Sequence, residues 1–132
     1  MLSEEECMGL LASCEIGRVG VVAGGRPLIF PVNFVLEGRY VLVHTDVGAK
    51  LDGASFAHVA FEVDDFDATT RSGWSVLVQG MAHDVTDAID HTSEHLQTIG
   101  GEPWAPGPKP RLLRIEAATV TGRRFQGPRA VG

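Results

Sequence analysis

Residues 16–45 read IGRVGVVAGGRPLIFPVNFVLEGRYVLVHT, and the punctuation of this stretch decides the fold. Ile16 to Val22 alternates and is rich in β-branched residues, and Gly24-Gly25 supplies a tight turn. Leu28 to Leu36 is a second strand, and Glu37-Gly38 turns it into a third, Arg39 to Thr45. Links this short join antiparallel neighbours. Pro31 has no N–H to give to a ladder, so the second strand needs an edge or a bulge there. Backbone groups beside it are then available to something other than a neighbouring strand.

Upstream, Ser3 and Glu6 form a capping box, with Leu2 placed to staple onto Cys7. Cys7, Leu10, Leu11 and Cys14 make one apolar stripe, predicting a helix from Glu4 to Cys14. The two cysteines stand about 10 Å apart along its axis, beyond disulfide reach, and read as small core residues. Downstream the pattern predicts a short helix from Ala49 to Ala54 and a strand from His58 to Val63. A polar, turn-rich loop from Asp64 to Gly73 follows. Trp74 to Val85 is a long strand bent at Gly80, and Thr86 to Ile99 is a helix with Ala88, Ile89, Thr92, Leu96 and Ile99 on one side. Gly100 to Pro110 is a proline-laden loop, Arg111 to Phe125 one strand or a pair, and Gln126 to Gly132 a tail. The expected architecture is mainly β: a small antiparallel barrel with flanking helices, one domain over residues 1–132. A Rossmann domain would alternate strand and helix behind a glycine fingerprint, and neither is present.

Composition narrows the partners. Of 132 residues, 44% are hydrophobic and 21% charged, as in an ordinary globular chain. The net charge of −6 opposes nucleic-acid binding, which needs a basic face. No apolar run approaches the roughly 20 residues that span a bilayer, and the first residues are acidic. The expectation is a cytoplasmic protein with neither a membrane nor a nucleic acid as partner.

Several motifs invite chemistry and decline it on spacing. His91, Glu94 and His95 match HxxEH, yet a third zinc ligand would have to come from a distant helix, and a solvated helix face is the expected reading. Asp64, Asp65 and Asp67 lack the calcium-loop spacing and its terminal Glu. Neither a nucleophile elbow nor a phosphate-binding P-loop is present. Three segments together say more. Phe30 to Phe34 gives a proline-broken strand with the Asn33 amide and an aromatic. His44 to Leu51 is a strand-to-helix turn in which the Thr45 hydroxyl, Gly48 backbone and Lys50 ammonium suit an anion. Arg71 to Val76 starts a strand with an indole, Trp74, beside a hydroxyl, Ser75. A flat aromatic ligand with a phosphate tail needs backbone hydrogen bonds, a cationic cradle and an apolar wall of this kind.

With IGRVGVV, FPVNFV, VHTDVGAKL, VAFEVD, GWSVLVQG, PWAPG and VTGRRF in order, the chain resembles the pyridoxamine 5′-phosphate oxidase-like FMN-binding split-barrel family. It is most similar to a small actinobacterial-type branch related to nitroimidazole-resistance proteins. The resemblance implies a Greek-key antiparallel barrel and a homodimer with FMN at the subunit interface. Carried over by position, Pro31, Val32, Asn33 and Phe34 would line the isoalloxazine ring, mainly through backbone atoms. His44, Thr45, Lys50 and Leu51 would surround the ribityl phosphate, with Gly48 and Ala49 backbone beside it. Trp74, Ser75 and Val76 would meet the ring system, and Trp104 would close the pocket. Relatives often carry Arg at the position of His44 and Ser or Thr at that of Ala49, which implies weaker phosphate retention here. The C-terminal Arg-x-His element of vitamin B6 oxidases is replaced by Arg123-Arg124-Phe125, so that substrate is not expected.

The resulting expectation is an FMN-dependent oxidoreductase acting on a small molecule, with binding residues and no catalytic acid or base. A deazaflavin cofactor is the first alternative, its acidic tail drawn to Arg111, Arg114, Arg123 and Arg124. A non-enzymatic flavin- or haem-binding protein, with His44 or His58 as a haem ligand, is the second. A dimeric interaction scaffold is the third.

Overall fold

The computed structural model describes residues 1–45, 58–85 and 111–127. They form one helix, α1 (Glu4–Ala12), and seven strands: β1 (Ile16–Ala23), β2 (Arg26–Glu37), β3 (Tyr40–Thr45), β4 (His58–Asp67), β5 (Ser72–Asp84), β6 (Arg111–Glu116) and β7 (Thr119–Gln126). The helices expected at 49–54 and 86–99, the loop at 100–110 and the HxxEH motif lie outside these residues.

β1, β2 and β3 form the antiparallel meander read from the sequence. Gly24 and Gly25 both take positive φ, as a two-residue hairpin loop requires. β4 then returns to lie beside β1, giving the spatial order β4-β1-β2-β3 of a Greek key. β5 pairs with β4 along its first ten residues and reaches β6 at Ala82, and β6 pairs with β3. The ring β1-β2-β3-β6-β5-β4 is therefore a closed six-stranded antiparallel barrel, with β7 added along the first half of β5. Gly80 marks the point where β5 passes from β7 to β6. A Cβ there would sit 1.7 Å from the Glu116 carbonyl oxygen, so only glycine fits.

Inward-facing side chains fill the barrel: Val19, Phe34, Val43, Phe61, Val78 and Ile115 are among those buried. Phe34 and Phe61 meet edge to face, ring centroids 4.8 Å apart. α1 lies against β7 and contributes Cys7 and Leu11 to this core. Its capping box is present: Ser3 Oγ accepts from the Glu6 N–H at 3.1 Å, and Glu6 Oε1 accepts from the Ser3 N–H at 3.3 Å. Both cysteines are free, Cys7 buried and Cys14 half-buried. The helix stops at Ala12, two residues short of the expected Cys14, where the Ser13 Oγ donates to the Leu10 carbonyl.

Two expectations are corrected. Asp64 to Gly73 is not a loop: β4 continues to Asp67 and β5 begins at Ser72, leaving a four-residue tip, 68–71. The polarity of this stretch reflects a hairpin that outruns the barrel and meets solvent on both faces. The Asp67 carboxylate accepts the Thr69 and Thr70 N–H groups at 2.8 and 3.2 Å and shapes its turn. Nor is there a bulge at Pro31, because the register runs one for one from Ile16↔Asn33 to Ala23↔Arg26. The edge alternative explains the proline. The Phe34 N–H donates to the Glu15 carbonyl, so even-numbered β2 residues bond toward β1 and odd-numbered ones toward β3. Among the described residues the β2–β3 ladder ends at Asn33↔His44, so the Pro31 nitrogen faces a flank that this ladder does not occupy.

Candidate functional site

Strand alternation decides which expected site residues can meet a ligand through side chains. Val32, Phe34 and Val76 are 5%, 4% and 0% exposed and belong to the core, and their backbone groups lie within the ladders to neighbouring strands. Pro31 and Asn33 point outward and are exposed. His44 is the cross-strand partner of Asn33 and shares that outer face; Thr45 ends β3. On the far side of the barrel Ser75 faces outward, whereas Trp74, one residue earlier, faces the opposite side of β5 with Val76. Gly48, Ala49, Lys50, Leu51 and Trp104 lie outside the described residues.

The registers join several of these positions into one belt around the outside of the barrel. His44 pairs with Asn33 and Asn33 with Ile16; Asp64 pairs with Ser75 and Ser75 with Arg123. Arg18 connects the two halves. It donates to Glu62 at 2.7 Å and to Asp64 at 3.3 Å, crossing from β1 to β4. Ile16, Arg18, Glu62, Asp64 and Arg123 were not singled out together from the sequence. The outward positions of Glu62 and Asp64 were legible in the alternation of HVAFEVD, but their neighbours come from strands far away in sequence.

Charge on this belt is tuned by its surroundings. Desolvation lowers the pKa of His44, whose other cross-strand neighbour is buried Leu112 in a small apolar cluster with Leu42 and Val85. The imidazole is therefore neutral near pH 7 and is a hydrogen-bonding group rather than a cationic anchor. Burial on the sheet and the adjacent Asp64 carboxylate push Glu62 up to about 7, against the pull of Arg18. Arg18 thus holds two neighbouring carboxylates that compete for it.

The donor set suits a planar heterocycle. β2 offers the Pro31 carbonyl on a flank that, among the described residues, the β3 ladder does not reach; Asn33 adds an amide, and Ser75 a hydroxyl. Of the arginines proposed for an acidic tail, Arg114, Arg123 and Arg124 do not gather. Arg114 lies over the Tyr40 ring at 4.9 Å on β6, while Arg123 and Arg124 alternate across β7. Trp74 lines a hollow of about 330 Å³ with Asp65, Arg124 and Phe125, and Ser75 one of about 350 Å³ with Leu77, Thr121 and Arg123. Among the described residues no group of three His, Cys, Asp or Glu could hold a metal ion, and no helix is long and apolar enough to cross a membrane.

The sequence pattern of the pyridoxamine 5′-phosphate oxidase family matches residues 3–124. An uncharacterised Mycobacterium tuberculosis protein, Rv0080, is 36% identical over 131 residues, covering 94% of this chain and 84% of that one. The FAD-binding protein of Mycobacterium smegmatis is 36% identical, superposes with a TM-score of 0.81, and covers 96% and 98% of the two chains. A nitroimidazole-resistance protein homologue from Bacteroides thetaiotaomicron has a TM-score of 0.70 over 95% and 86% of the chains. At 15% identity that last likeness concerns the fold alone.

Proposed function

This chain belongs to the pyridoxamine 5′-phosphate oxidase family, and on that premise we propose that it is a flavin-dependent oxidoreductase binding FMN, or the FMN portion of FAD, between two copies of itself. The observation that carries the reading is the belt joining Asn33, His44 and Ser75 on the outside of the barrel, next to Pro31.

Asn33 and Ser75 are three strand spacings apart, about 14 Å around the barrel, on opposite strands of its six-membered ring. The outside of the barrel supplies one wall for a planar ring, and a second copy of the chain supplies the other. A bound flavin brings the electron-transfer chemistry, and the chain's own residues bind and orient it. The Pro31 carbonyl accepts a hydrogen bond from the ring edge, with Val32 and Phe34 anchoring that strand in the core. Asn33 of one copy and Ser75 of the other fix the ring's orientation. Lys50 carries the positive charge for the phosphate, with Thr45, Leu51 and the Gly48–Ala49 backbone beside it; neutral His44 contributes a hydrogen bond only. Trp104 closes the pocket. The electron acceptor is a small-molecule substrate, and the protein works in the cytoplasm.

The scatter of Arg114, Arg123 and Arg124 favours an ordinary flavin over a deazaflavin with an acidic tail. Visible absorbance of the purified protein, followed by titration with FMN and with FAD, tests the reading. Flavin bands perturbed on binding at micromolar concentration are expected. No bands and no binding at tens of micromolar would defeat it.

A further inference from the structure

β4, β5 and β7 run beyond the barrel as a three-stranded ribbon, whose outer face carries more aromatic surface than the fold requires. Phe66 and Phe125 flank Gly73 in register, their rings stacked with centroids 6.2 Å apart and planes 13° apart. A Cβ on Gly73 would meet the Asp65 carbonyl oxygen at 2.5 Å and a Phe125 ring carbon at 2.9 Å, so Phe125 closes over a glycine, a known way to shield one in a sheet. Shielding does not consume the rings: Phe66 stays 48% and Phe125 41% exposed.

The charges around them are cationic. Ser75 and Arg123 form the pair two residues along the same face, about 7 Å away. Arg123 is exposed and enters no ion pair among the described residues. At the hairpin tip Arg71 holds φ 58°, a left-handed conformation uncommon for a non-glycine residue. The Gly127 N–H fixes it there by donating to the Arg71 carbonyl at 2.6 Å. One point beside Gly127 lies 3.6 Å from an Arg71 guanidinium nitrogen and 3.7 Å from the Phe66 ring, so this guanidinium stands next to the aromatic pair. Asp64, on the same face, is held by Arg18, while Asp65 and Asp67 fall on the other face.

Exposed rings between two guanidinium groups, on a chain of net charge −6, match the chemistry of a nucleotide. We propose that this face binds the adenosine diphosphate portion of a dinucleotide, the base on Phe66 and Phe125 and the phosphates on Arg123. The site adjoins the flavin belt through Ser75 and rests on the flavin reading for that adjacency. The adenosine diphosphate therefore belongs either to FAD itself or to a nicotinamide dinucleotide donor.

Calorimetric titration of the full chain with ADP, FMN, FAD and NADPH tests this, alongside the variants Arg123→Gln and Phe125→Leu. Wild-type protein binds ADP, each variant weakens ADP by about tenfold or more, and Phe125→Leu leaves FMN unchanged. FAD bound more tightly than FMN, and displaced by ADP, identifies the cofactor's own adenosine as the occupant. ADP that displaces NADPH but not FAD identifies the donor's. The proposal is overturned if wild-type protein does not bind ADP, or if both variants bind it unchanged. It is overturned equally if Phe125→Leu shifts the oligomeric state and keeps ADP affinity, which would make the face a contact between copies. ADP binding without any flavin binding would overturn the flavin reading alone.

Discussion

The substitution Glu62→Gln should change how stability depends on pH, and the structure sets both sign and size. The carboxyl is pushed from 4.5 to about 7, first by desolvation and then by Asp64, while Arg18 at 2.7 Å pulls the other way. An acid whose folded pKa is raised contributes its full stability below the unfolded pKa. That contribution is lost as pH rises through the folded value. The window is therefore pH 4.5 to about 7, and wild-type stability falls across it. At 1.36 kcal/mol per pH unit the ceiling is roughly 3.4 kcal/mol. The Glu62 side chain is 32% exposed, so solvent screening reduces this to about 1 kcal/mol. The substituted amide keeps an oxygen for Arg18 and does not titrate. Urea unfolding of both proteins at matched concentration, in steps across the window, should show wild type losing about 1 kcal/mol relative to the variant. A constant gap would refute the reasoning. So would a gap that grows in wild type's favour with rising pH, since Arg18 would then outweigh burial and Asp64 together.

Gly80→Ala should destabilise by about 2 kcal/mol or more, or prevent folding, because its Cβ would lie 1.7 Å from the Glu116 carbonyl oxygen; thermal unfolding and soluble yield check this. Ser3→Ala removes the acceptor for the Glu6 N–H and should cost about 1 kcal/mol in urea unfolding, with binding properties kept. Because burial holds His44 neutral near pH 7, FMN affinity should stay flat from pH 7 to 8, and His44→Arg should tighten it. A fluorescence titration in which affinity falls steeply between those pH values would show a charged imidazole at the phosphate.

The meander was legible because its information is local: Gly24-Gly25 and Glu37-Gly38 fix two hairpins whose strands alternate in between. The capping box at Ser3 and Glu6 was legible for the same reason. The polar run from Asp64 to Gly73 was misread because polarity was taken for a loop, when it belongs to a hairpin wet on both faces. Pro31 suggested two solutions, and only the unbroken register with β1 distinguishes them. In the candidate site, Asn33, His44 and Ser75 stood out as residue types. Their arrangement on one belt, and the addition of Arg18, Glu62 and Arg123, depended on pairings across dozens of residues that no local pattern encodes. Trp74 and Ser75 are adjacent in sequence and therefore face opposite ways, a consequence of strand geometry that reading them as one motif overlooked.

Sedimentation of the flavin-loaded protein, followed through the visible absorbance of the flavin, addresses the account most directly. Flavin colour should travel with a species of twice the 14.1 kDa chain mass. Colour left behind as free small molecule, or moving with a single chain, would contradict it.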